Sequence, residues 1–244
     1  MNKNLVEVGF VIDASGSMTT LKNDTIGGFN SVIESQKAQD GETRVSAVTF
    51  NDSVNVLYDN VDVKEITPLN TDTYHTWGCT ALYDALGKLI DSIGERLAAT
   101  PEDERPGKVL IVVITDGEEN SSMCYTFGDI KERVERQQNV YAWEFMFLGA
   151  DMNSMRQARA MGFKNEYSKV YSQSSRGVSS VYTAVDSMVS ASKSVAKGDI
   201  DEQTYLRSMA CSMDSVVDSD DTALSSKVAD TTVRGIFTCT ADTL

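Results

Sequence analysis

Val8-Gly9-Phe10-Val11-Ile12-Asp13-Ala14-Ser15-Gly16-Ser17 stands near the start of a chain of 244 residues. The apolar run, which begins at Leu5 and ends at Ile12, reads as a buried strand. An acid follows at once, and then two hydroxyls at alternate positions. A spacing of two lets an extended loop turn Asp13, Ser15 and Ser17 toward one point, and Gly16 permits the tight path. The stretch therefore predicts a central strand whose end carries a cluster of oxygen donors.

Working outward, similar apolar runs recur with helical patterns between them. Strands are expected at Leu5–Ile12, Arg44–Phe50, Ser53–Tyr58, Lys108–Thr115, Val140–Leu148 and Glu166–Tyr171. The second and third are separated only by Asn51-Asp52, which suits a hairpin rather than a crossover, so one edge strand is expected to be antiparallel. Helices are expected at Thr19–Gln39, with Leu21, Ile26, Phe29, Val32 and Ile33 on one face, and at Thr80–Ala99. Asp129–Gln138 and Asn153–Met161 are shorter candidates, and Val178, Val181, Tyr182, Val185, Met188 and Val189 mark a further amphipathic helix. This alternation predicts a mostly parallel six-stranded sheet with helices on both faces.

Two more segments fall where strands end and helices begin, the edge at which open parallel sheets place their ligands. Trp77-Gly78-Cys79-Thr80 sets a hydroxyl just before a helix, and Thr115-Asp116-Gly117-Glu118-Glu119-Asn120 closes the fourth strand with a carboxylate. All three loops can converge on one metal. A plainer alternative is that Asp13 and Ser15–Ser17 only cap the next helix. Capping alone, however, gives no reason for Thr80 and Asp116 at two other strand ends.

Asp13, Ser15, Ser17, Thr80 and Asp116 together resemble the metal-ion-dependent adhesion site of von Willebrand factor type A domains, over roughly residues 5 to 195. The resemblance implies a Rossmann-like, three-layer α/β/α fold. It also implies a site for Mg²⁺ or Mn²⁺, with Ser15, Ser17 and Thr80 binding the ion directly and Asp13 and Asp116 acting through water. The open position would accept an Asp or Glu from a protein partner. Thr115–Ser122 and Trp143–Asp151 resemble the stand-alone, cytoplasmic type A proteins of bacteria and their phages. The implied function is a divalent-metal-dependent protein-binding module. An adaptor or co-subunit of an ATPase machine and a metal-dependent hydrolase are the alternatives.

Composition narrows the classes. Twenty-two Lys and Arg against 36 Asp and Glu give a net charge of −14, which argues against a nucleic-acid surface and against binding an anionic membrane. Met1–Val8 is too polar for a secretory leader, and no apolar run approaches the roughly 18 residues of a membrane span. Cys79, Cys124, Cys211 and Cys239 lack C-x-x-C spacing and read as reduced thiols of a cytoplasmic protein. No phosphate-binding glycine loop and no paired nucleophile and base are present, so an enzyme is not expected. His75 reads as a half-exposed loop residue, and Glu118 and Glu119 as solvated loop acids.

The main domain is expected to span 1–197. Residues 198–244, with nine acids against three bases, form an acidic, mostly helical extension in which Leu206, Met209, Met213, Val216 and Val217 keep helical spacing.

Overall fold

A computed structural model describes residues 1–218. Strands β1 (Asn2–Asp13), β2 (Glu42–Phe50), β3 (Val54–Asp62), β4 (Pro106–Thr115), β5 (Glu144–Gly149) and β6 (Ser168–Val170) form one sheet in the order β3-β2-β1-β4-β5-β6. Every neighbouring pair is parallel except β2–β3, the expected hairpin at the edge. Helices α1 (Lys22–Lys37), α2 (Leu82–Ala99), α3 (Phe127–Tyr141), α4 (Met152–Ala160), α5 (Ser175–Lys197) and α6 (Glu202–Asp214) cover the two faces.

The period of two along β1 divides its side chains between two cores. Val6, Val8, Phe10 and Ile12 face Phe29 of α1 and Val181, Val185 and Met188 of α5. On the other side Val11 joins Leu82, Leu86, Leu89 and Ile93 of α2 and Phe145 and Phe147 of β5. Gly9 also points to this second face, where an added Cβ would lie 2.6 Å from Ile111 and 3.0 Å from Leu89. Its missing side chain lets α2 close onto the middle of the sheet.

Several expected boundaries move. The first helix starts as a 3-10 turn over Gly16–Leu21 and becomes α-helical at Lys22. The strand expected from Val140 begins instead at Glu144, because Val140 and Tyr141 still belong to α3. The sixth strand shortens to Ser168–Val170 because Asn165–Tyr167 wind into a 3-10 turn. Glu202–Asp214 forms the helix expected in the extension, and its Tyr205, Met209 and Met213, with Val216 beyond it, complete the first core. Leu206, expected on that apolar face, is exposed.

Tyr205 is the anchor of α6: its hydroxyl meets Ser192 of α5 and donates to Glu144, which also pairs with Lys108. Helix α5 stops at Gly198, where a φ of 85° suits a residue without Cβ. Cys239 and the rest of the extension past residue 218 lie outside the described residues.

Candidate metal site

The carboxyl edge of the sheet gathers the ends of β1 and β4 and the loop before α2. Asp13, the last residue of β1, is fully buried, and both its oxygens are engaged. Oδ1 accepts the Ser15 amide at 2.7 Å, which bends the chain, and Oδ2 accepts the Thr115 hydroxyl at 2.6 Å. The bend sets the Ser15 and Ser17 hydroxyls 3.0 Å apart. Ser17 then donates to Asp116 Oδ1 at 2.6 Å, joining loops 99 residues apart. Ser15 occupies the position before the 3-10 turn but makes no side-chain cap bond. Capping therefore does not account for these residues.

Thr80 reaches the same place by a different route. Its amide donates to Asn120 Oδ1 at 2.8 Å, and its carbonyl accepts the Asn120 amide at 3.0 Å. The Thr80 hydroxyl lies 3.5 Å from where a Cβ on Gly117 would stand, beside Asp116. The loop that carries it is stitched to β1 and to the hairpin: Trp77 N donates to Ala14 O at 3.0 Å, Gly16 N to Gly78 O at 3.1 Å, and Ala81 N to Asn51 O at 2.8 Å. Gly78 takes a φ of 74°, and a Cβ there would meet Asp52 Oδ2 at 2.1 Å, so this turn needs glycine. The structure thus links Asp13, Ser15, Ser17 and Asp116 through hydrogen bonds and sets the Thr80 hydroxyl beside Gly117, the residue after Asp116.

Burial sets the electrostatics. Desolvation pushes the Asp13 carboxyl up to about 6 against the hydrogen bonds from Thr115 and Ser15, and the charge of Asp116 adds to the rise. The Asp116 carboxyl is also raised, first by burial and further by the charge of Asp151, against the Ser17 bond. Two carboxyls held above their ordinary range at one point form an environment that a cation relieves. Among the described residues no group of three or more His, Cys, Asp or Glu forms a metal cage, so any ion here would depend on the hydroxyls. Such an all-oxygen donor set fits a hard divalent cation.

Several supporting residues escape a reading of sequence alone. Tyr74, fully buried, donates its hydroxyl to the Asp13 carbonyl at 2.5 Å. Asp52 accepts the Cys79 amide at 3.0 Å. Glu119 is not a free loop acid: it accepts the Tyr83 amide at the start of α2 and the Ser121 and Ser122 amides, at 2.7–2.9 Å. Asp84 ties the same loop down through the amides of Met123, Cys124 and Tyr125. Glu118 and His75 are exposed, as expected. The signal for the clamps was present as Asn and Asp beside turns, but their partners lie 27 to 41 residues away.

A family model described as von Willebrand factor type A domain matches residues 7–230. The chain belongs to this family. Among solved structures, the type A domain resembles the D319A mutant of the PilB minor pilin from Streptococcus sanguinis, at 13% identity and a TM-score of 0.55 over 80% of this chain and 62% of the pilin. It also matches manganese-loaded TRAP protein of Plasmodium vivax, at 16% identity, 70% coverage of each chain and a TM-score of 0.49. A third match, von Willebrand factor type A from Catenulispora acidiphila, has 15% identity and a TM-score of 0.49 over 77% of this chain and 42% of that one. The pilin likeness supports the fold. A search of curated proteins returns no match. Among the described residues no helix is long and apolar enough to cross a membrane.

Proposed function

We propose that this type A domain is a protein-binding module that captures a partner's carboxylate at a divalent metal held by Ser15, Ser17 and Thr80, with Asp13 and Asp116 in support. The observation that carries the reading is the 2.6 Å bond from Ser17 to Asp116, which closes two distant loops into one oxygen cluster beside Thr80. When bound, Mg²⁺ or Mn²⁺ would supply an electron-poor centre able to take a carboxylate oxygen from outside.

The chain's own residues do the rest. Asp13 fixes the Ser15 turn through its amide, Thr115 orients Asp13, and Tyr74 holds the strand end from below. Asn120 fixes the height of Thr80 on both sides of its peptide. The direct donors are neutral hydroxyls, so they leave positive charge at the open position rather than cancelling it. That charge is what an acidic partner would seek.

The reading assigns no reaction, and with it the domain is a binder rather than an enzyme. A cytoplasmic setting of the bacterial or phage kind belongs to the same proposal. Its support is the sequence resemblance of Thr115–Ser122 and Trp143–Asp151 to the stand-alone bacterial and phage type A proteins.

The test is affinity capture from native lysate with the full chain, in Mg²⁺ and in EDTA, beside Thr80→Ala. A protein retained by the wild type only with metal, and not by Thr80→Ala, is the expected result. Retention that is the same in EDTA and in the variant would contradict carboxylate capture.

A further inference from the structure

Among the described residues, the buried hydroxyls of Thr25, Tyr171 and Tyr182 make no hydrogen bond. Thr25 and Tyr171 are 1% exposed and Tyr182 2%. A buried polar group without a partner is costly, so folded proteins satisfy such groups with other protein atoms or with ordered water. These three hydroxyls come from different elements, α1, the end of β6 and α5, and they converge.

Helices α1 and α5 lie side by side and parallel. Ser175 donates to Asp24 at one end and Ser35 to Asp186 at the other, both at 2.9 Å and both across an interval of 151 residues. That offset sets Tyr182 level with Ser31. Its ring nevertheless rests on Gly28, where an added Cβ would lie 2.1 Å from Cδ2. The side chain therefore leans about one turn toward the helix N-termini, the usual direction in a helix. Its hydroxyl, beyond the ring, continues toward Thr25, one further turn along α1, and Gly28 is the gap that lets the ring pass.

Tyr171 arrives from the sheet. Its amide donates to the Gly149 carbonyl at the end of β5, at 2.9 Å. Ser172 beside it packs on the first turn of α5, where a Cβ on Gly177 would lie 1.9 Å from the Ser172 carbonyl oxygen. Tyr74, whose hydroxyl donates to the Asp13 carbonyl, shares one core with Tyr171 and Tyr182. The acidities carry the same proximity. Burial first, and then the charges of Asp116, Asp13 and Tyr182, push the Tyr171 hydroxyl well above its ordinary range. Burial, Tyr182, Asp13 and Tyr171 push the Tyr74 hydroxyl up in the same way, with Thr25 acting against them.

We propose that Thr25, Tyr171 and Tyr182 bind ordered water in a chamber beneath the metal site, and that this water links the Tyr171 hydroxyl to the strand-end carboxyls of Asp13 and Asp116. A buried water makes about three hydrogen bonds, and the three hydroxyls supply that number. Tyr171 is then a positioning residue: it touches no ion and steadies, through water, the carboxyls that support the ion's ligands. This link, unlike the water itself, rests on the metal-site reading above.

A crystal structure of the full chain, at a resolution that shows ordered solvent, tests the chamber. At least one water within hydrogen-bond distance of two of the three hydroxyls is expected. No water there, or hydroxyls bonded directly to one another, overturns the chamber. Tyr171→Phe removes one hydroxyl and keeps the ring, and it should melt below the wild type in EDTA. An unchanged or higher Tm is what loss of an unpartnered hydroxyl would give, and it too overturns the chamber. By calorimetry the variant should bind Mg²⁺ about tenfold more weakly, as when a group that supports metal ligands is lost. Adding Mg²⁺ to the wild type should also shift the near-ultraviolet absorbance of tyrosine, because the ion takes up charge that acts on Tyr171, and Tyr171→Phe should lose most of that shift. Wild-type Mg²⁺ affinity in the variant, or a full absorbance shift, overturns the link and leaves the metal site standing. A wild type that binds no Mg²⁺ overturns the metal-site reading and the link with it, while the water is decided by the crystal structure alone.

Discussion

Thr115→Val removes one hydroxyl from the site and keeps the side chain's shape. Thr115 is fully buried at the end of β4, and its hydroxyl makes the 2.6 Å bond to Asp13 Oδ2. Valine leaves that oxygen buried without its donor. A hydrogen bond to a charged group contributes about 1.5–3 kcal/mol, so a loss of about 2 kcal/mol is expected at neutral pH. For a domain of this size that lowers Tm by about 4–8 °C. The same change tilts Asp13 further toward its protonated form, so Mg²⁺ affinity should fall by at least about tenfold. Thermal unfolding in EDTA and in Mg²⁺ measures both, since the rise in Tm on adding metal reports its binding. Thr115→Ser keeps the donor and should retain most of the metal-induced rise. A Tm for Thr115→Val within about 1 °C of wild type in EDTA, with the full rise in Mg²⁺, would refute the claim that Thr115 holds Asp13 in place.

Three further outcomes follow from other parts of the fold. Gly27 and Gly28 are neighbours in α1 with opposite surroundings: an added Cβ meets nothing within 4 Å at Gly27, but lies 2.1 Å from the Tyr182 ring at Gly28. Urea unfolding should show Gly27→Ala more stable by about 0.5–1 kcal/mol and Gly28→Ala less stable by about 1–3 kcal/mol; two changes of the same sign would contradict this packing. Lys193 on α5 is buried with no hydrogen-bond partner for its Nζ among the described residues, and burial pulls its pKa from 10.5 down to about 8. Lys197 and Lys64 act in the same direction and Asp186 against it. Below pH 8 both folded and unfolded chains carry the proton, whereas between 8 and 10.5 only the unfolded chain keeps it. Wild-type stability relative to Lys193→Met should therefore rise with pH across that window, by up to about 3 kcal/mol, and Lys193→Met should be the more stable protein at pH 7. A pH-independent difference between the two would count against a buried, unpaired ammonium. Finally, Asn120→Ala should weaken Mg²⁺ binding without unfolding the domain, because Asn120 is exposed and its side chain holds the Thr80 amide; unchanged affinity by calorimetry would remove Asn120 from the site's support.

The parts of this fold that follow from local pattern are legible in the sequence. Apolar runs mark all six strands, two polar residues between Phe50 and Ser53 mark the antiparallel edge, and the Asp13-Ala14-Ser15-Gly16-Ser17 stretch marks the end of β1. Strand β5 starts later than its apolar run suggests, for a physical reason. Helix α3 ends with Ala142 in the left-handed region, at φ 55°, where glycine or asparagine would have signalled the stop. With that signal missing, Val140 and Tyr141 read as the start of a strand.

The site divides in the same way. Its five candidate residues lie at strand ends and before a helix, positions that periodicity reveals. Their supports depend on pairings that only the fold makes: Tyr74 under Asp13, Asn120 across from Thr80, and Glu119 and Asp84 binding the 119–125 loop to α2. Glu119 shows the limit most clearly. Its identity suits a solvated loop acid, and only the proximity of three backbone amides makes it a cap.

The central claim is that three hydroxyls and two carboxyls at one sheet edge hold a divalent cation. Its most direct test is calorimetric titration of the metal-free full chain with Mg²⁺ and Mn²⁺, beside Thr80→Ala and Asp116→Ala, with circular dichroism to verify that each variant is folded. The account predicts one ion per chain for the wild type and at least about tenfold weaker binding in each folded variant, through loss of a direct ligand in Thr80→Ala and of a supporting carboxyl in Asp116→Ala. Absence of binding by the wild type, or equal affinity in the folded variants, would contradict it.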